Sequence, residues 1–321
     1  MAETSLPLSE VISEIPAGPG RLPAWVRQVI VFLLILVVLC ALWEGYKALG
    51  AATAGKIPLT VALGAATGGR WIPVEGIKLP MRSDDKSMPH LWKIVGALVK
   101  PAQRGGADSL LVLLLRSALF TWREAMVGFL IGSVVGFVLG VIFVHSQLLE
   151  RGLMPYVVAS QTVPLLAIAP MIVIWGSQLK WPAWIAVTVI SAYLTFFPVT
   201  INTLRGLKSP DPTALELMRS YAASRWQVLW KLRVPAALPY IFTALKISAT
   251  TSVIGAIIGE LPSGIADGLG RALLTFSYYY ISGPEKLFAA IIVSALLGIA
   301  FALIVIQIER FVVPAPRRLS E

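Results

Sequence analysis

The sequence has 321 residues, 57% of them hydrophobic and 14% charged, with a mean hydropathy of +0.78, a balance that excludes an ordinary soluble domain. Its net charge of +10 does not point to nucleic acid, because the basic residues are spread through segments flanking apolar runs, where they act as orientation signals in a membrane.

Several runs reach the roughly 20 residues that a helix needs to cross a bilayer. They are continuously apolar, without the alternation of barrel strands, so helices are expected. Residues 1–24 are polar and hold Glu3, Glu10, Glu14 and four prolines, which reads as a disordered cytoplasmic tail. The first run, Trp25–Leu49, predicts a transmembrane helix at 25–49 and contains the single cysteine, Cys40, which excludes a disulfide scaffold. A cleaved signal peptide is the rival reading, but it would have a shorter apolar core, roughly 7–15 residues. Residues 50–107 mix glycine, proline and charge and read as an external segment, with Pro89–Lys100 spaced for a short helix along the membrane surface.

The core begins at 108 and extends to 313. Leu110–Met126 carries Arg116, Arg123 and Glu124, so its first half reads as an interfacial helix feeding a second span at Glu124–His145. Gly128, Gly132, Gly136 and Gly140 recur every four residues in that span, which puts them on one helix face open to close approach by a neighbour. The third span, Pro155–Trp175, contains Pro164, Pro170 and the polar group Ser160, Gln161, Thr162, and is expected to bend. Further spans are expected at Trp181–Leu204, Tyr240–Glu260 and Glu285–Gln307, giving about six in all, with a cytoplasmic tail at 314–321.

With the N-terminus inside, the loop 205–239 is also inside. It carries Arg205, Lys208, Arg219, Arg225, Lys231 and Arg233 against Asp211 and Glu216, as the positive-inside tendency requires. Two short helices can be read in it. Asp211-Pro212 supplies an N-cap acceptor followed by proline at the first helical position, and Ser224 with Gln227 makes a capping-box pattern. Trp226, Leu229 and Trp230 form an apolar stripe, and Pro235 and Pro239 are expected to end the second helix. Such an elbow suits docking onto another protein; an elbow lying on lipid headgroups is the alternative.

The stretch Glu216-Leu217-Met218-Arg219-Ser220-Tyr221-Ala222-Ala223-Ser224, continuing to Leu232-Arg233-Val234-Pro235, resembles the EAA loop of binding-protein-dependent ABC importer permeases. Glu216, Leu232, Val234 and Pro235 fall in register. Leu217-Met218 replace the alanines, and Ala222 stands where the family has glycine, which implies a tighter or less mobile turn. The segments Thr121-Trp122-Arg123-Glu124 with Gly128-Phe129, Gln161-Thr162-Val163-Pro164 with Ala169-Pro170 and Trp175-Gly176, Phe196-Phe197-Pro198 with Asn202-Thr203-Leu204-Arg205-Gly206, and Glu260 with Gly268-Leu269-Gly270 resemble the nitrate/sulfonate/taurine-type branch.

The resemblance covers roughly 88–313. It implies an all-α integral membrane protein with a MetI-like type I ABC importer permease fold, sited in the cell membrane. Two permease copies, alike or paralogous, would form the pore. Separate ATPase subunits would carry ATP and Mg, and a solute-binding protein would deliver the cargo. The sequence holds no Gly-x4-Gly-Lys-Ser/Thr phosphate loop and no cofactor or metal is expected on this chain, so it is read as a lever and not as an enzyme. The docking residues implied are Glu216, Ala222, Ala223, Ser224, Trp226, Leu232, Val234 and Pro235.

Polar groups at membrane depth are costly and often functional, which makes Gln161, Thr162, Thr195, Ser248, Thr251 and Ser252 candidates for lining the path. Their alternative role is to bond their own helix carbonyls. Glu260 is expected at the outer mouth as a gate or as a contact for the binding protein. The lining lacks an arginine or lysine cluster, which argues against a dedicated anion site. The run Phe276, Tyr278, Tyr279, Tyr280 suits a ring-bearing solute or an interface anchor. Resemblance of 50–107 and of Glu260–Gly264 to vitamin-type members favours riboflavin or a thiamine-precursor pyrimidine over nitrate, sulfonate or taurine. An ion-coupled secondary transporter would want mid-membrane ionisable residues or repeated halves, and neither is evident in the sequence. A membrane enzyme is a weaker rival, since His90 and His145 are far apart and no paired carboxylate cluster is evident.

Overall fold

A backbone amide or carbonyl left unpaired in hydrocarbon costs several kcal/mol, so a chain this apolar satisfies its backbone within helices. The computed structural model describes residues 24–53, 85–102 and 108–313. Among them the only strand-like pairing is an isolated bridge between Pro101 and Ser109. The tails expected at 1–24 and 314–321 and most of the external segment 50–107 lie outside the described residues.

The chain divides into two units, 1–91 and 92–321. In the first, α1 (Ala24–Thr53) presents apolar side chains outward from Ile30 to Leu39, as a lipid-facing helix does. Its C-terminal part is pinned by polar contacts. Trp43 Nε1 donates to Pro89 O at 3.1 Å, Leu91 N–H donates to Glu44 at 2.9 Å, His90 Nδ1 lies 2.8 Å from Glu44, and Lys47 pairs with Asp85.

The second unit starts with α2 (Leu91–Val99), which buries Ile94 and Ala97. The next helix, α3 (Leu110–His145), is one unbroken element of 36 residues, with Ser109 Oγ accepting from Val112 N–H at its start. The separate interfacial helix expected before Glu124 does not exist. Nothing between Leu110 and Met126 can break a helix; Arg116 is exposed and Arg123 lies 5.3 Å from the Trp184 ring centroid, whereas Glu124 turns inward and is buried.

The expected third span is in fact two helices, α4 (Gln147–Ser160) and α5 (Leu165–Gln178), meeting at 99°. Pro164 has no N–H to offer and keeps Val163 out of helical geometry, so the chain turns there and does not merely kink. Tyr193 donates to the Ser160 carbonyl freed at the break.

After α6 (Ala183–Leu207) come α7 (Pro212–Ser220), α8 (Arg225–Val228), a π-turn at Leu229–Arg233 and α9 (Val234–Ser263). The loop after α9 holds α10 (Leu269–Tyr278), and α11 (Pro284–Val312) closes the unit. Among the described residues five helical stretches are long and apolar enough to span a membrane, or six if α4 and α5 count as one broken span.

α6 lies between α3 and α9. The four glycines of α3 meet Ser191, Thr195, Val199 and Thr203, which recur on α6 with the same four-residue spacing. On the other side, Gly255 and Gly259 of α9 accept Ser191 and Val187. Backbone approach of this kind replaces the hydrophobic driving force that lipid does not supply. Trp122 and Phe129 of α3 meet Phe301 of α11 edge-on, at 6.4 and 5.0 Å between ring centroids, and join α11 to the core.

Ionisable side chains are present inside this bundle, contrary to the reading of the sequence. Lys246 of α9 pairs with Glu309 of α11 at 3.3 Å, both mostly buried, and Glu124 and Glu260 are buried near the other end of α9.

Candidate functional site

The elbow is built by local signals. Asp211 accepts from Thr213 N–H at 2.8 Å and starts α7. At the end of α7, Ala223 N–H donates to Met218 O at 3.0 Å and Ala222 N–H to Arg219 O at 2.8 Å, the two bonds of a Schellman cap. That cap needs a left-handed residue at Ala222, whose φ is +52°. Glycine takes this conformation freely, whereas alanine pays about 1 kcal/mol. Ala222→Gly is therefore expected to leave thermal stability unchanged or raise it by up to about 1 kcal/mol, and Ala222→Val to lower it. Melting curves of the purified protein compare the two; a more stable valine variant would refute the account.

Ser224 then opens the second arm with a full capping box. Gln227 N–H donates to Ser224 Oγ at 3.3 Å and Ser224 N–H to Gln227 Oε1 at 2.8 Å. Pro235 and Pro239 do not end this arm. The helix runs through both, because the π-turn shifts the bonding register before Pro235: Val234 N–H donates to Leu229 O. Arg225–Ser263 is consequently one rod of 39 residues, about 58 Å long at 1.5 Å per residue. The expected apolar stripe is also split. Leu229 is 0% exposed against Leu207 and Ala237, while Trp226 and Trp230 are 64% and 56% exposed. Leu217 and Tyr221 of the elbow are exposed as well, as are Glu216 and Ser224. Ala223, Leu232, Val234 and Pro235 are half-buried and face the bundle more than the outside.

At its far end the rod carries Glu260, 1% exposed. Thr121 Oγ1 donates to Glu260 Oε1 at 2.6 Å and Gly270 N–H to Oε2 at 2.5 Å, while Leu269 N–H donates to Thr121 Oγ1 at 2.8 Å. A Cβ at Gly268 would fall 2.5 Å from the Glu260 carboxyl carbon, so this glycine lets the loop close over the acid. Glu260 thus ties α3, α9 and the start of α10 together from within and presents no surface at a mouth. Glu124, also 1% exposed, lies against it with no donor to either oxygen among the described residues. The sequence reading gave Thr121 and Glu124 no role; three polar residues within four positions of an apolar helix were the signal available. Thr121→Val is expected to destabilise the fold by about 1–3 kcal/mol by orphaning the Leu269 amide and one Glu260 oxygen, read from the loss of melting temperature.

The candidate path-lining groups fall into two sets. Ser248 and Ser252 are buried between α6 and α9, and Thr195 is buried on α6 against Gly132 of α3; Ser248 Oγ donates to Thr195 O at 3.4 Å, Ser191 Oγ to Ser252 O at 2.9 Å, and Thr195 and Ser252 bond carbonyls of their own helices. Thr251 is half-buried and bonds the carbonyls of Ile247 and Ser248. Gln161 and Thr162 are exposed at the α4–α5 break, with Thr162 Oγ1 donating to Ala159 O at 2.7 Å.

The fold is a glycine-ridged helical bundle of membrane-spanning length, with a capped elbow and a rod running from that elbow to the opposite end. Residues 128–317 match the family described as binding-protein-dependent transport system inner membrane component, and the chain belongs to it. It is a multi-pass inner-membrane ABC importer permease, a transport and not an enzyme family. The chain is 37% identical over 191 residues to the formylaminopyrimidine transport permease protein ThiX of Halalkalibacterium halodurans, covering 59% of this chain and 72% of that protein. It is 31% identical over 170 residues to the riboflavin transport system permease protein RibX of Chloroflexus aurantiacus, covering 53% of this chain and 60% of that one. Its fold is similar to the MetNI methionine ABC transporter in an inward-facing conformation, with a TM-score of 0.56 at 19% identity over 64% of this chain and 98% of that one.

Proposed function

We propose that this permease imports a small ring-bearing vitamin or vitamin precursor, riboflavin or a formylaminopyrimidine, handed to it by a solute-binding protein. A second permease copy completes the pore, and ATPase subunits holding ATP and Mg dock on the elbow. The exposure of Leu217, Tyr221, Trp226 and Trp230 carries the docking part of this reading, because four large apolar side chains exposed on one elbow are what a partner interface uses. Movement of that elbow reaches Glu260 and the loop after α9 along the α8–α9 rod. The cargo rests on the relatives named for formylaminopyrimidine and riboflavin transport. Relatives named for sulfonate, nitrate and taurine transport make those solutes the competing cargoes. In this reading Gln161 and Thr162, exposed at the break, meet the pathway, whereas Thr195, Ser248 and Ser252 hold the helices that frame it.

The test is uptake into proteoliposomes containing the permease, its ATPase and its binding protein. Labelled riboflavin or formylaminopyrimidine is expected to accumulate only with internal ATP and Mg and to be blocked by vanadate. Uptake blocked by a proton ionophore but not by vanadate would make the chain part of a secondary transporter, and accumulation of taurine, a sulfonate or nitrate instead would move the cargo.

A further inference from the structure

Between the elbow and the end of α3 lies a cleft of about 320 Å³ with Arg219, Arg225, Arg233 and His145 in its wall. The three arginines come from α7, α8 and the π-turn, three successive elements of the elbow. Arg219 and Arg233 are near enough to repel each other. Among the described residues none of the three has a carboxylate partner; the one hydrogen bond recorded for them is Arg233 Nη1 donating to Leu207 O at 3.4 Å. Converging cations without counter-charge are an unfavourable arrangement until an anion enters. The guanidinium fork matches the oxygens of a phosphate.

The cleft also has an apolar side, made by Val144, Leu215 and Val228. Val144 and His145, the last two residues of α3, complete this lining.

We propose that this cleft is a binding site for a phosphate group, supplied by an anionic phospholipid headgroup or by free phosphate, and that its occupant fastens the elbow to the end of α3. Bound phosphate joins α7, α8 and the π-turn through their arginines, so the two arms move as one body with the rod. The inference rests on the elbow being the coupling element, but its binding part is measured without the ATPase.

The purified full-length permease is examined by native mass spectrometry after exposure to mixed phosphatidylglycerol and phosphatidylcholine. It is expected to retain phosphatidylglycerol in preference, and Arg219→Gln/Arg225→Gln to weaken retention about tenfold or more. Arg219→Lys/Arg225→Lys, which keeps the charge, is expected to retain more lipid than the glutamine pair. Leu215→Glu places an acid in the cleft without removing an arginine and is expected to displace the lipid too, which answers the objection that the glutamine pair is merely misfolded. Inorganic phosphate separates the sources: if it competes phosphatidylglycerol away and by itself raises the ATPase activity of the assembled transporter in phosphatidylcholine nanodiscs, free phosphate suffices. If only phosphatidylglycerol raises it, the occupant is lipid. Equal phosphatidylglycerol retention by wild type, the glutamine pair and Leu215→Glu overturns the proposal. So does loss of ATPase co-purification in the glutamine pair with lipid retention intact, since the arginines would then serve the protein partner.

Discussion

Gly136→Val is expected to remove the folded permease from the membrane. A Cβ at this position would come 2.6 Å from the Phe196 carbonyl oxygen and 2.8 Å from Val199 Cβ, so the obstacle is the backbone of α6 and not a side chain that can swing away. Gly132 is held in the same way, with the Ala192 carbonyl oxygen at 2.5 Å from its Cβ position. Overpacking a well-filled core costs about 1–3 kcal/mol, and parting two helices that meet along a four-glycine ridge exceeds the upper end, because neighbouring contacts along the ridge open with it. Gly152→Ala is the control. Nothing lies within 4 Å of its Cβ position, so the substitution is expected to be neutral or to gain up to about 1 kcal/mol of helix propensity. Membrane abundance and melting temperature in detergent read both variants; an abundant, normally melting Gly136→Val protein would show that α3 and α6 are not in backbone contact.

Trp226→Ala/Trp230→Ala is expected to abolish co-purification of the ATPase while leaving the permease folded. The two rings are more than half exposed, so little of the chain's own core depends on them. Truncating an interface tryptophan at a binding hot spot costs about 2 kcal/mol or more, roughly thirtyfold in affinity for each. Leu229→Ala separates docking from folding. Leu229 is fully buried against Leu207 and Ala237, and its truncation is expected to cost about 2–5 kcal/mol of stability. A tryptophan double variant that still holds its ATPase would end the assignment of this surface as the dock, and one that fails to fold would show that the rings serve the chain's own packing.

Much of the elbow was legible because its determinants are local. Asp211-Pro212, the Ser224/Gln227 box and the break between them are set by side chains and amides within three residues of one another, and the structure places both caps where the sequence puts them. The glycine spacing of α3 was legible for the same reason: a four-residue period fixes a helix face whatever lies opposite. Helix ends that depend on proline were less so. Pro164 breaks its helix whereas Pro235 follows a π-turn and the helix continues, and the difference lies in the hydrogen-bond register of the preceding turn and in the Tyr193 hydroxyl that reaches the Ser160 carbonyl.

The amino-acid sequence by itself determined that this is a multi-span helical membrane protein with a capped basic elbow, and the elbow's register carried the permease reading. Hydrophobic length, capping and period are properties of one segment at a time. Only the tertiary structure decided what the polar groups do. Thr195, Ser248 and Ser252 spend their hydroxyls on helix carbonyls, Glu260 fastens the loop after α9, and three arginines from successive elements of the elbow line one cleft. A polar side chain at membrane depth must find a partner, and which partner it finds depends on packing between segments far apart in the chain: Thr121 and Glu260 are 139 residues from one another and share a hydrogen bond.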